Sequence, residues 1–400
     1  MTIYQALPPA AITAYQCVSA AGDDVEALYA ALMANQTCLK PLGLFDIPFE
    51  TLVGEVSTAL PALPAHLKTY QCRNAQLALK ALNQGGFRAD VERAIAQHGA
   101  TRVGVILGTS TSGIYETENA YFDLQRDGSM PADFSFLTTH TAQATAEFLQ
   151  QELALQGACF AISTACSSSA KALGAAQRLI AADICDAVLV AGVDSLCRLT
   201  LRGFYSLQLI SPEACRPMDA DRKGINIGEA AALLLLERPN PDNAGSPRLL
   251  AVGESSDAHH MSAPHPQGIG AAAAMSQALR LAGKQLEEVD YINLHATASQ
   301  LNDLSEAKAV AGLFDNPPPC SGVKGLLGHT LGAAGAVETI VSLLALEKGF
   351  LPATCGLQQV DAQCQIPVIA RLDAAIKPKL VLSNAFGFGG NNASVLLEVV

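Results

Sequence analysis

The stretch ISTACSSSAKALGAAQRLI, residues 162–180, joins the end of one apolar segment to the start of another. The preceding residues, CFAIST, have the apolar composition of a short buried strand. After Cys166, apolar residues recur at helical spacing: Ala170, Leu173, Ala176 and Ile180. The pattern predicts a strand followed directly by a helix, with Cys166 in the turn between them.

Cys166 therefore lies where a helix begins. The unpaired amide groups and the dipole of a helix N-terminus favour a thiolate, which is the form that attacks thioesters. We expect Cys166 to be a nucleophile. The alternative is a cysteine that only packs in the core, which is the usual role of a buried cysteine and the one we assign to the other cysteines.

Composition restricts the class of protein. The chain has 400 residues, half of them hydrophobic, which is enough for a large core and two or three domain-sized units. The cysteines number 11 and form neither a CxxC pair nor a short cluster with histidine. This pattern argues against a disulfide framework and a structural metal, and it fits a reducing compartment.

Charge and hydropathy restrict the partners. The 25 basic and 37 acidic side chains give a net charge of −12, which opposes non-specific binding to nucleic acid. The N-terminal residues lack a basic segment followed by a long apolar run, and the longest apolar runs are shorter than a bilayer span. We expect a cytoplasmic protein that does not bind membranes.

The order of predicted elements repeats along the chain. Buried strands alternate with Ala/Leu-rich helical stretches at the spacing of parallel β-α units, first up to the Pro-rich segment ERPNPDNAGSPR and then again after it. We predict two similar α/β halves, residues 1–247 and 248–400. In the second half, strands are predicted at LLAVGES, YINLHA, PCSGV and LVLSNA, helices are predicted near 269–283, 302–313 and 331–347, and the chain ends in a hairpin strand.

Two histidines lie, like Cys166, at the end of a predicted strand. His295 closes YINLH, with Asn302 as the predicted cap of a helix that carries Asp303 and Glu306, and His329 lies in KGLLGHTLGAAGAVE. Active sites of open α/β sheets lie at such ends. A lone histidine is more often a surface residue or a core residue with its hydrogen bonds made. Three polar residues at strand ends, Cys166, His295 and His329, nevertheless favour an active site.

A buried ion pair is predicted beside His329. Glu338 falls within the otherwise apolar helix GAAGAVETIVSLLAL, where a carboxylate needs a partner. Lys324 is the candidate partner, and a solvated lysine is the alternative. The glycine-rich segment NAFGFGGNNAS, residues 384–394, allows close approach of the backbone to a ligand, but it does not match a phosphate-binding loop.

Six motifs in series resemble the elongating, two-histidine class of β-ketoacyl-acyl-carrier-protein synthases. They are TACSSS, RPMDADRKGINIGEAAALLLLE, DAHHMSAPHPQGIGAAAAM, HATASQLND, KGLLGHTLGAAGAVE and NAFGFGGNN. The resemblance implies the thiolase fold, with two βαβαβαββ halves in a five-layered αβαβα sandwich. It also implies a homodimer, or a heterodimer with a ketosynthase-like subunit.

The resemblance assigns roles to the residues found above. Cys166 matches the acyl-accepting nucleophile, and His295 and His329 match the pair that assists decarboxylation of malonyl-carrier protein and stabilises the enolate. Lys324 matches a lysine with a structural and electrostatic role in the family, and Glu338 and Glu306 match its carboxylate partners. Asp303 and Thr297 are expected to support the site from the same motif.

The resemblance also implies a mechanism. Phe388 matches a gating phenylalanine whose N–H, with that of Cys166, forms an oxyanion hole. Cys166 takes the acyl chain from acyl-carrier protein, and the enolate from malonyl-carrier protein attacks it to give a β-ketoacyl product. No metal or organic cofactor is implied, because decarboxylation generates the carbon nucleophile.

Several motifs depart from the family pattern. HATAS, residues 295–299, stands where many members have HGTGT. Ala296 and Ala298 therefore replace glycines, and the extra methyl groups of the alanines must be accommodated. RKGINIGEAAA replaces the common RDGFVxGEGAG. Around HATASQLND the chain resembles ketosynthases of bacterial aryl-polyene pathways, and this resemblance predicts unsaturated or aryl acyl substrates.

Carrier protein is acidic, so a chain of net charge −12 needs a local basic rim. The candidates, taken from approximate correspondence with family docking regions, are Lys68, Arg73, Arg126 and Arg202. Ordinary solvated surface charge is the alternative for each of them.

Other functions within this fold stay open. A chain-length-determining subunit without condensing activity is disfavoured because it typically lacks the cysteine. Thiolytic cleavage and priming by acyl-CoA are disfavoured because thiolases use a second cysteine and priming enzymes use histidine with asparagine. A non-enzymatic scaffold is the remaining class.

Overall fold

The structure is a computed structural model that describes residues 7–399. Residues 1–6 and Val400, the outer ends of the two predicted halves, lie outside the described range. The strands are β1 (Ala10–Ser19), β2 (Lys40–Pro41), β3 (Leu52–Val53), β4 (Val103–Gly108), β5 (Cys159–Ile162), β6 (Ala187–Asp194), β7 (Ala230–Glu237), β8 (Arg248–Ser256), β9 (Tyr291–Asn293), β10 (Cys320–Ser321), β11 (Leu380–Gly387) and β12 (Asn391–Glu398).

Helices cover both faces of the resulting sheet. They are α1 (Val25–Ala34), α2 (Arg73–Leu82), α3 (Phe87–His98), α4 (Ile114–Asp127), α5 (Phe136–Thr139), α6 (Ala144–Glu152), α7 (Ser168–Ala181), α8 (Arg198–Ser206), α9 (Ile269–Ala282), α10 (Gln300–Leu313), α11 (Lys324–Leu327) and α12 (Ala334–Lys348). Among the described residues, no helix combines the length and the apolar character needed to span a bilayer.

The two halves have the same strand topology. Within the described residues, ten strands form one sheet in the order β10-β9-β11-β12-β8-β1-β7-β6-β4-β5. Each half contributes five strands to this sheet. Counted along the chain and listed from the β1–β8 junction outward, they lie in the order first, fifth, fourth, second and third in both halves. The parallel and antiparallel pairings also match between the halves. The predicted repeated βαβαβαββ halves are confirmed.

Three clusters of buried apolar side chains lie between the layers of helices and strands. In β6, Val188 and Val190 face a central cluster that includes α7 and α12, whereas Leu189 and Ala191 face an outer cluster with α2, α3 and α6. A third cluster packs α9 and α10 on the outer face of the second half. The result is the predicted five-layered αβαβα arrangement. Both halves share the central core, and their division at residue 247 into domains stays a prediction.

Two predicted elements of the second half differ from the structure. The predicted strand PCSGV is reduced to β10, because the prolines at 317–319 have no N–H groups for a sheet. The predicted helix 331–347 starts as a 3-10 turn at Leu331–Ala333 and becomes α12 afterwards. Leu331 has a φ of 54°, which an α-helix does not permit.

Glycine lets the two central helices approach closely. A Cβ on Gly335 in α12 would lie 2.5 Å from the backbone nitrogen of Ala170 in α7. A Cβ on Gly192 of β6 would lie 2.7 Å from the Cβ of Ala336. The small side chains that the sequence places on α7 and α12 therefore set the distance between their N-terminal ends.

We predict that Gly335→Ala lowers the free energy of unfolding by about 1–3 kcal/mol through overpacking. Helix propensity alone predicts the opposite sign, a gain of about 1 kcal/mol. The control is Gly312→Ala in α10, where a Cβ would meet no atom within 4 Å. Chemical denaturation of both variants measures the difference, and equal stabilities would contradict the close-packing account.

Candidate active site

The loops before the two central helices meet face to face. Cys166 lies between β5 and α7, and His329 lies between β10 and α12, which is the equivalent position in the second half. Cys166 Sγ is 2.9 Å from His329 Nε2, and both side chains are buried. The repeat of the fold therefore brings together two residues that are far apart in sequence.

His295 completes the group from the loop that follows β9. Its ring centroid lies 5.2 Å from that of His329, with the ring planes 84° apart. The sulfur and one nitrogen of each ring all lie within 4.8 Å of one another. A single small group can therefore contact Cys166, His295 and His329 at once.

The glycine-rich segment brings backbone amides to the sulfur. The N–H of Phe388 and the N–H of Cys166 itself both face Sγ. Gly387 makes this approach possible, because a Cβ there would lie 3.0 Å from the carbonyl oxygen of Thr164 and 3.2 Å from the nitrogen of Cys166. Two amides therefore converge on the space beside the sulfur, where an acyl group bound to it would place its oxygen.

Burial changes the expected protonation state of Cys166. Burial raises the pKa of the thiol to about 11, although the Phe388 N–H and the charge of Lys324 oppose that increase. This direction opposes the thiolate expected at the helix N-terminus, because loss of water outweighs the Phe388 N–H and the charge of Lys324. The shift favours a thiol in the resting site.

Hydrogen bonds fix the tautomers of both histidines. Burial, with the nearby charge of Lys324, lowers the pKa of His295 and of His329 well below the usual range, so both rings are neutral at neutral pH. His295 Nδ1 faces Lys324 Nζ at 3.3 Å, and His329 Nδ1 accepts the N–H of Leu331 at 3.3 Å. Since ammonium and amide groups donate, each ring carries its hydrogen on Nε2.

Lys324 and Glu338 form the predicted buried ion pair. Lys324 Nζ donates to Glu338 Oε1 and, at 2.5 Å, to the carbonyl oxygen of His295. Burial raises the pKa of Glu338 to about 7, and Lys324 opposes that increase. The pair anchors the His295 loop to α12 and supplies positive charge beside the histidines.

Two acidic residues of α10 hold the backbone of the HATAS loop. Glu306 accepts the N–H groups of His295 and Ala296, each at 2.8 Å. Asp303 accepts the N–H of Ala298 at 3.2 Å. Both carboxylates therefore support the loop, and Glu306 contacts backbone amides where the resemblance predicted a partner of Lys324.

The predicted helix cap in this motif is wrong. The N-cap position is Ser299, and α10 begins at Gln300, so Asn302 already lies in the first turn. Asn302 instead donates to Asp303 at 3.3 Å and lines the pocket above Cys166. The predicted start was two residues late, because Leu301, the apolar residue of the first turn, is exposed at the pocket and does not belong to the buried face of α10.

The two alanines of HATAS adopt a glycine-like backbone. Ala296 has a φ of 32° and Ala298 a φ of 68°, both in the left-handed region. The methyl group of Ala296 is accommodated opposite Gly322, where an added Cβ would lie 2.4 Å from it. Ala298 packs with Leu39 and Cys215. The methyl group of Ala296 thus uses the space that Gly322 leaves, and that of Ala298 joins a separate apolar cluster.

An open pocket leads from the surface to the sulfur. Thr297 lies on its wall, and its hydroxyl is 3.0 Å from that of Ser299. The rings of Phe204 and Phe388 meet edge to face at 5.3 Å on the same pocket. Phe386 and Leu301 add further apolar lining. The wall therefore combines aromatic and aliphatic side chains with polar ones, among which His295 and His329 lie next to Cys166.

The same three side chains could in principle ligate a metal ion. Cysteine and histidine within 4.8 Å of one another suit a soft or borderline cation. A cation there would meet the positive charge of Lys324, which lies next to His295. The electrostatics of the site therefore oppose a metal ion.

The docking candidates occupy different environments. Lys68 and Arg202 are exposed. Arg126 is exposed but pairs with Asp123 and Asp127 at 2.7 and 2.8 Å, which cancels its charge locally.

Arg73 does not face the solvent. Its guanidinium donates to Glu229, including Nε to Oε2 at 2.8 Å, and its side chain is only 12% exposed. The expectation that Arg73 offers a free charge is therefore wrong, because a fully buried carboxylate holds it inward.

Sequence reasoning missed several residues that support the loops. Asp194 ends β6 and is fully buried, Arg222 is buried against Asp303 at 3.6 Å, and Asn384 donates to Glu306 at 3.1 Å. The rule that selected Cys166 and His295, a polar residue at the end of a buried strand, would also have selected Asp194.

The chain is similar to known proteins over its whole length. Residues 8–241 match the family described as "Beta-ketoacyl synthase, N-terminal domain", and residues 248–358 match "Beta-ketoacyl synthase, C-terminal domain". A 3-oxoacyl-[acyl-carrier-protein] synthase 2 from Coxiella burnetii is 32% identical, over 97% of this chain and 98% of that protein.

Solved structures agree in fold. The chain superposes with a TM-score of 0.90 and 40% identity on a structure of the ketosynthase ApeO in complex with its chain length factor ApeC from Xenorhabdus doucetiae. That similarity covers 100% of this chain and 99% of the other. The ishigamide ketosynthase/chain length factor gives a TM-score of 0.90 at 28% identity, covering 99% of this chain and 100% of the other.

We predict that Gly322→Ala lowers the free energy of unfolding by about 1–3 kcal/mol, because its methyl group would overlap that of Ala296. Ala296→Gly alone should change stability little, since relief of left-handed strain offsets a lost methyl contact. The double variant should recover most of the loss.

Chemical denaturation of the two single variants and the double variant measures the coupling between positions 296 and 322. Gly245→Ala, where a Cβ would meet no atom within 4 Å, is the control. Additive effects of the two substitutions would show that the methyl groups do not meet.

Proposed function

The chain belongs to the β-ketoacyl synthase family, and from that premise we propose that it condenses malonyl-carrier protein with an acyl chain held on Cys166. The observation that carries the proposal is the group formed by Cys166 Sγ, His329 Nε2 and His295, with two amides facing the sulfur. The first product is an acyl thioester and the second a β-ketoacyl thioester two carbons longer.

Acyl transfer uses the sulfur and the two amides. The Cys166 sulfur attacks the thioester carbonyl of acyl-carrier protein, and the N–H groups of Cys166 and Phe388 stabilise the oxyanion. Collapse of the tetrahedral intermediate releases the carrier thiol, which takes up the proton that Cys166 loses. A thiol of high pKa suits this exchange, since the sulfur needs to be anionic only when substrate is bound.

Condensation uses the two histidines. With hydrogen on Nε2, both neutral rings can donate to the thioester oxygen of malonyl-carrier protein. As CO2 leaves, negative charge develops on that oxygen, and the two donors stabilise the enolate. The enolate carbon then attacks the acyl carbonyl on Cys166, whose oxygen lies in the amide pair, and the sulfur leaves as a thiolate that takes up a proton from water to restore the thiol.

We infer that the working unit is a dimer, either with a second copy or with a ketosynthase-like subunit. Within the described residues β5 pairs only with β4, and its side chains are half-buried, so one edge is open. Large apolar side chains are exposed on α4 and on α5 and α8, which both contact α4: Tyr121, Phe122, Phe136, Leu137 and Leu199. Open edges and apolar patches of this kind mark interfaces.

We also propose that unsaturated or aryl acyl chains are preferred, as in aryl-polyene biosynthesis. Phe204, Phe386 and Phe388 line the pocket and offer π surfaces to a conjugated chain. Turnover of matched saturated and polyenoic acyl-carrier proteins compares the two. A saturated chain that reacts as well or better would contradict the preference.

Intact mass spectrometry tests the condensing role. After incubation with acyl-carrier protein, the chain should gain one acyl group, and malonyl-carrier protein should then remove it as a product two carbons longer. Cys166→Ala should abolish the gain, whereas Cys38→Ala, which alters a half-exposed cysteine elsewhere, should not.

The outcomes separate the functions. Acylation at Cys166 followed by extension supports the proposal. No acylation with any donor, from wild type that is folded and dimeric, would contradict it and indicate a non-condensing partner subunit.

We propose Lys68 and Arg202 as contacts for the acidic carrier protein. Arg202 lies on α8, the helix that carries Phe204 at the pocket. Lys68→Glu and Arg202→Glu should each raise the KM for carrier protein several-fold with little change in kcat. Lys379→Glu is the control, because Lys379 is exposed and precedes β11 at the end opposite Phe388. An unchanged KM in both test variants would remove the proposal.

A further inference from the structure

Asp194 is a buried carboxylate for which the proposed chemistry has no direct use. It ends β6 and is 0% exposed. Its two oxygens accept hydrogen bonds from six donors, five of which are hydroxyl and amide groups of residues 109–111, at 2.6 to 2.8 Å for the shortest contact of each donor. The sixth donor is the N–H of Gly332, which lies 2.5 Å from Oδ2.

The contact with Gly332 fixes the turn that follows His329. Leu331, inside this turn, is held in the left-handed region, a conformation that costs about 1–2 kcal/mol for a residue with a side chain. Its N–H then points back to His329 Nδ1 at 3.3 Å. The turn is also stabilised by the Ala333 N–H, which donates to the Thr330 carbonyl oxygen at 3.0 Å, and by the packing of Leu331, and Asp194 holds it at Gly332.

Charge and space both favour the anchor. The turn leads directly into α12, and a carboxylate at the N-terminal end of a helix is stabilised by its dipole. A Cβ on residue 332 would lie 2.8 Å from Asp194 Oδ2, so glycine is needed for the contact. Ser110 supports it, since its hydroxyl donates to Asp194 at 2.6 Å and accepts the Gly332 N–H at 3.3 Å.

The repeated fold gives this contact a counterpart. Asp194 ends β6 and Gly387 ends β11, which is the equivalent strand of the second half. Gly387 lies against the loop that carries Cys166 before α7, and Asp194 binds the loop that carries His329 before α12. Each half therefore positions the reactive residue of the other from the end of the same strand.

We propose that Asp194 is a positioning residue that, by holding the 330–332 turn, keeps the Leu331 N–H on His329 Nδ1 and so presents Nε2–H of His329 to the reacting groups. This inference rests on the proposed condensing function for its kinetic effect. The state of the His329 ring, however, does not depend on any substrate.

Asp194→Asn keeps the shape but replaces one acceptor oxygen by a donor. Whichever way the amide is oriented, a backbone N–H of the 109–111 loop or of Gly332 loses its acceptor. We expect kcat for condensation to fall roughly 10- to 100-fold, with the KM for malonyl-carrier protein within about threefold of wild type. Asp219→Asn is the control, because Asp219 is also a buried carboxylate that accepts backbone N–H groups, at Gln358 and Gln359, and should keep kcat.

A double-mutant cycle with His329→Ala separates positioning from general support of the fold. If Asp194 acts through His329, adding Asp194→Asn to the His329→Ala variant should lower kcat for condensation by less than about threefold. Losses that multiply would overturn the proposal. Ser110→Ala, a milder loss of the same contact, should show the same non-additivity and serves if Asp194→Asn does not fold.

A spectroscopic measurement needs no substrate. In protein labelled with 15N-histidine, the His329 resonances, assigned by their absence from His329→Ala, should show the Nε2–H tautomer in wild type and loss of that single state in Asp194→Asn. Unchanged His329 resonances would overturn the proposal even if activity falls. Wild type that shows the tautomer but no condensation would overturn the proposed function and leave the positioning role supported.

Discussion

The contact between the Cys166 sulfur and His329 Nε2 is the feature on which the site depends. It exists because two helices, α7 and α12, begin at equivalent places in the two repeated halves. They start side by side in the central layer, between the strands of one half and those of the other. Gly335 and Gly192 permit that closeness. The glycines and alanines of these helices are therefore functional in effect, since larger residues would separate the nucleophile from its partner.

Burial decides the electrostatics of the site. It keeps both imidazoles neutral, raises the pKa of the Cys166 thiol, and leaves Lys324 as a buried cation held by Glu338 and the His295 carbonyl. Neutral rings with fixed Nε2 hydrogens are donors prepared for charge that develops on substrate oxygen. The site thus resembles a preorganised set of dipoles more than an acid–base pair, which suits a reaction in which loss of CO2 supplies the electrons.

The sequence predicted the fold and the three central residues because strand ends, helix starts and motif order are local properties. It could not predict the raised pKa of Cys166, which depends on how completely five layers exclude water. It placed Arg73 on the surface because the buried Glu229 that holds it lies far away in sequence. Asp194 could have been selected because it ends a buried strand, but its six donors come from two other loops and could not be predicted.

The most direct test of the account is the stoichiometry of a single turnover. Chain acylated beforehand on Cys166 is mixed with an excess of malonyl-carrier protein, and CO2, β-ketoacyl product and acyl-enzyme are counted over time. The account predicts one CO2 and one product for each acyl group lost from Cys166, because decarboxylation and carbon attack occur in one site. Product formed without loss of the acyl group from Cys166, or CO2 released while that group stays on the sulfur, would contradict it.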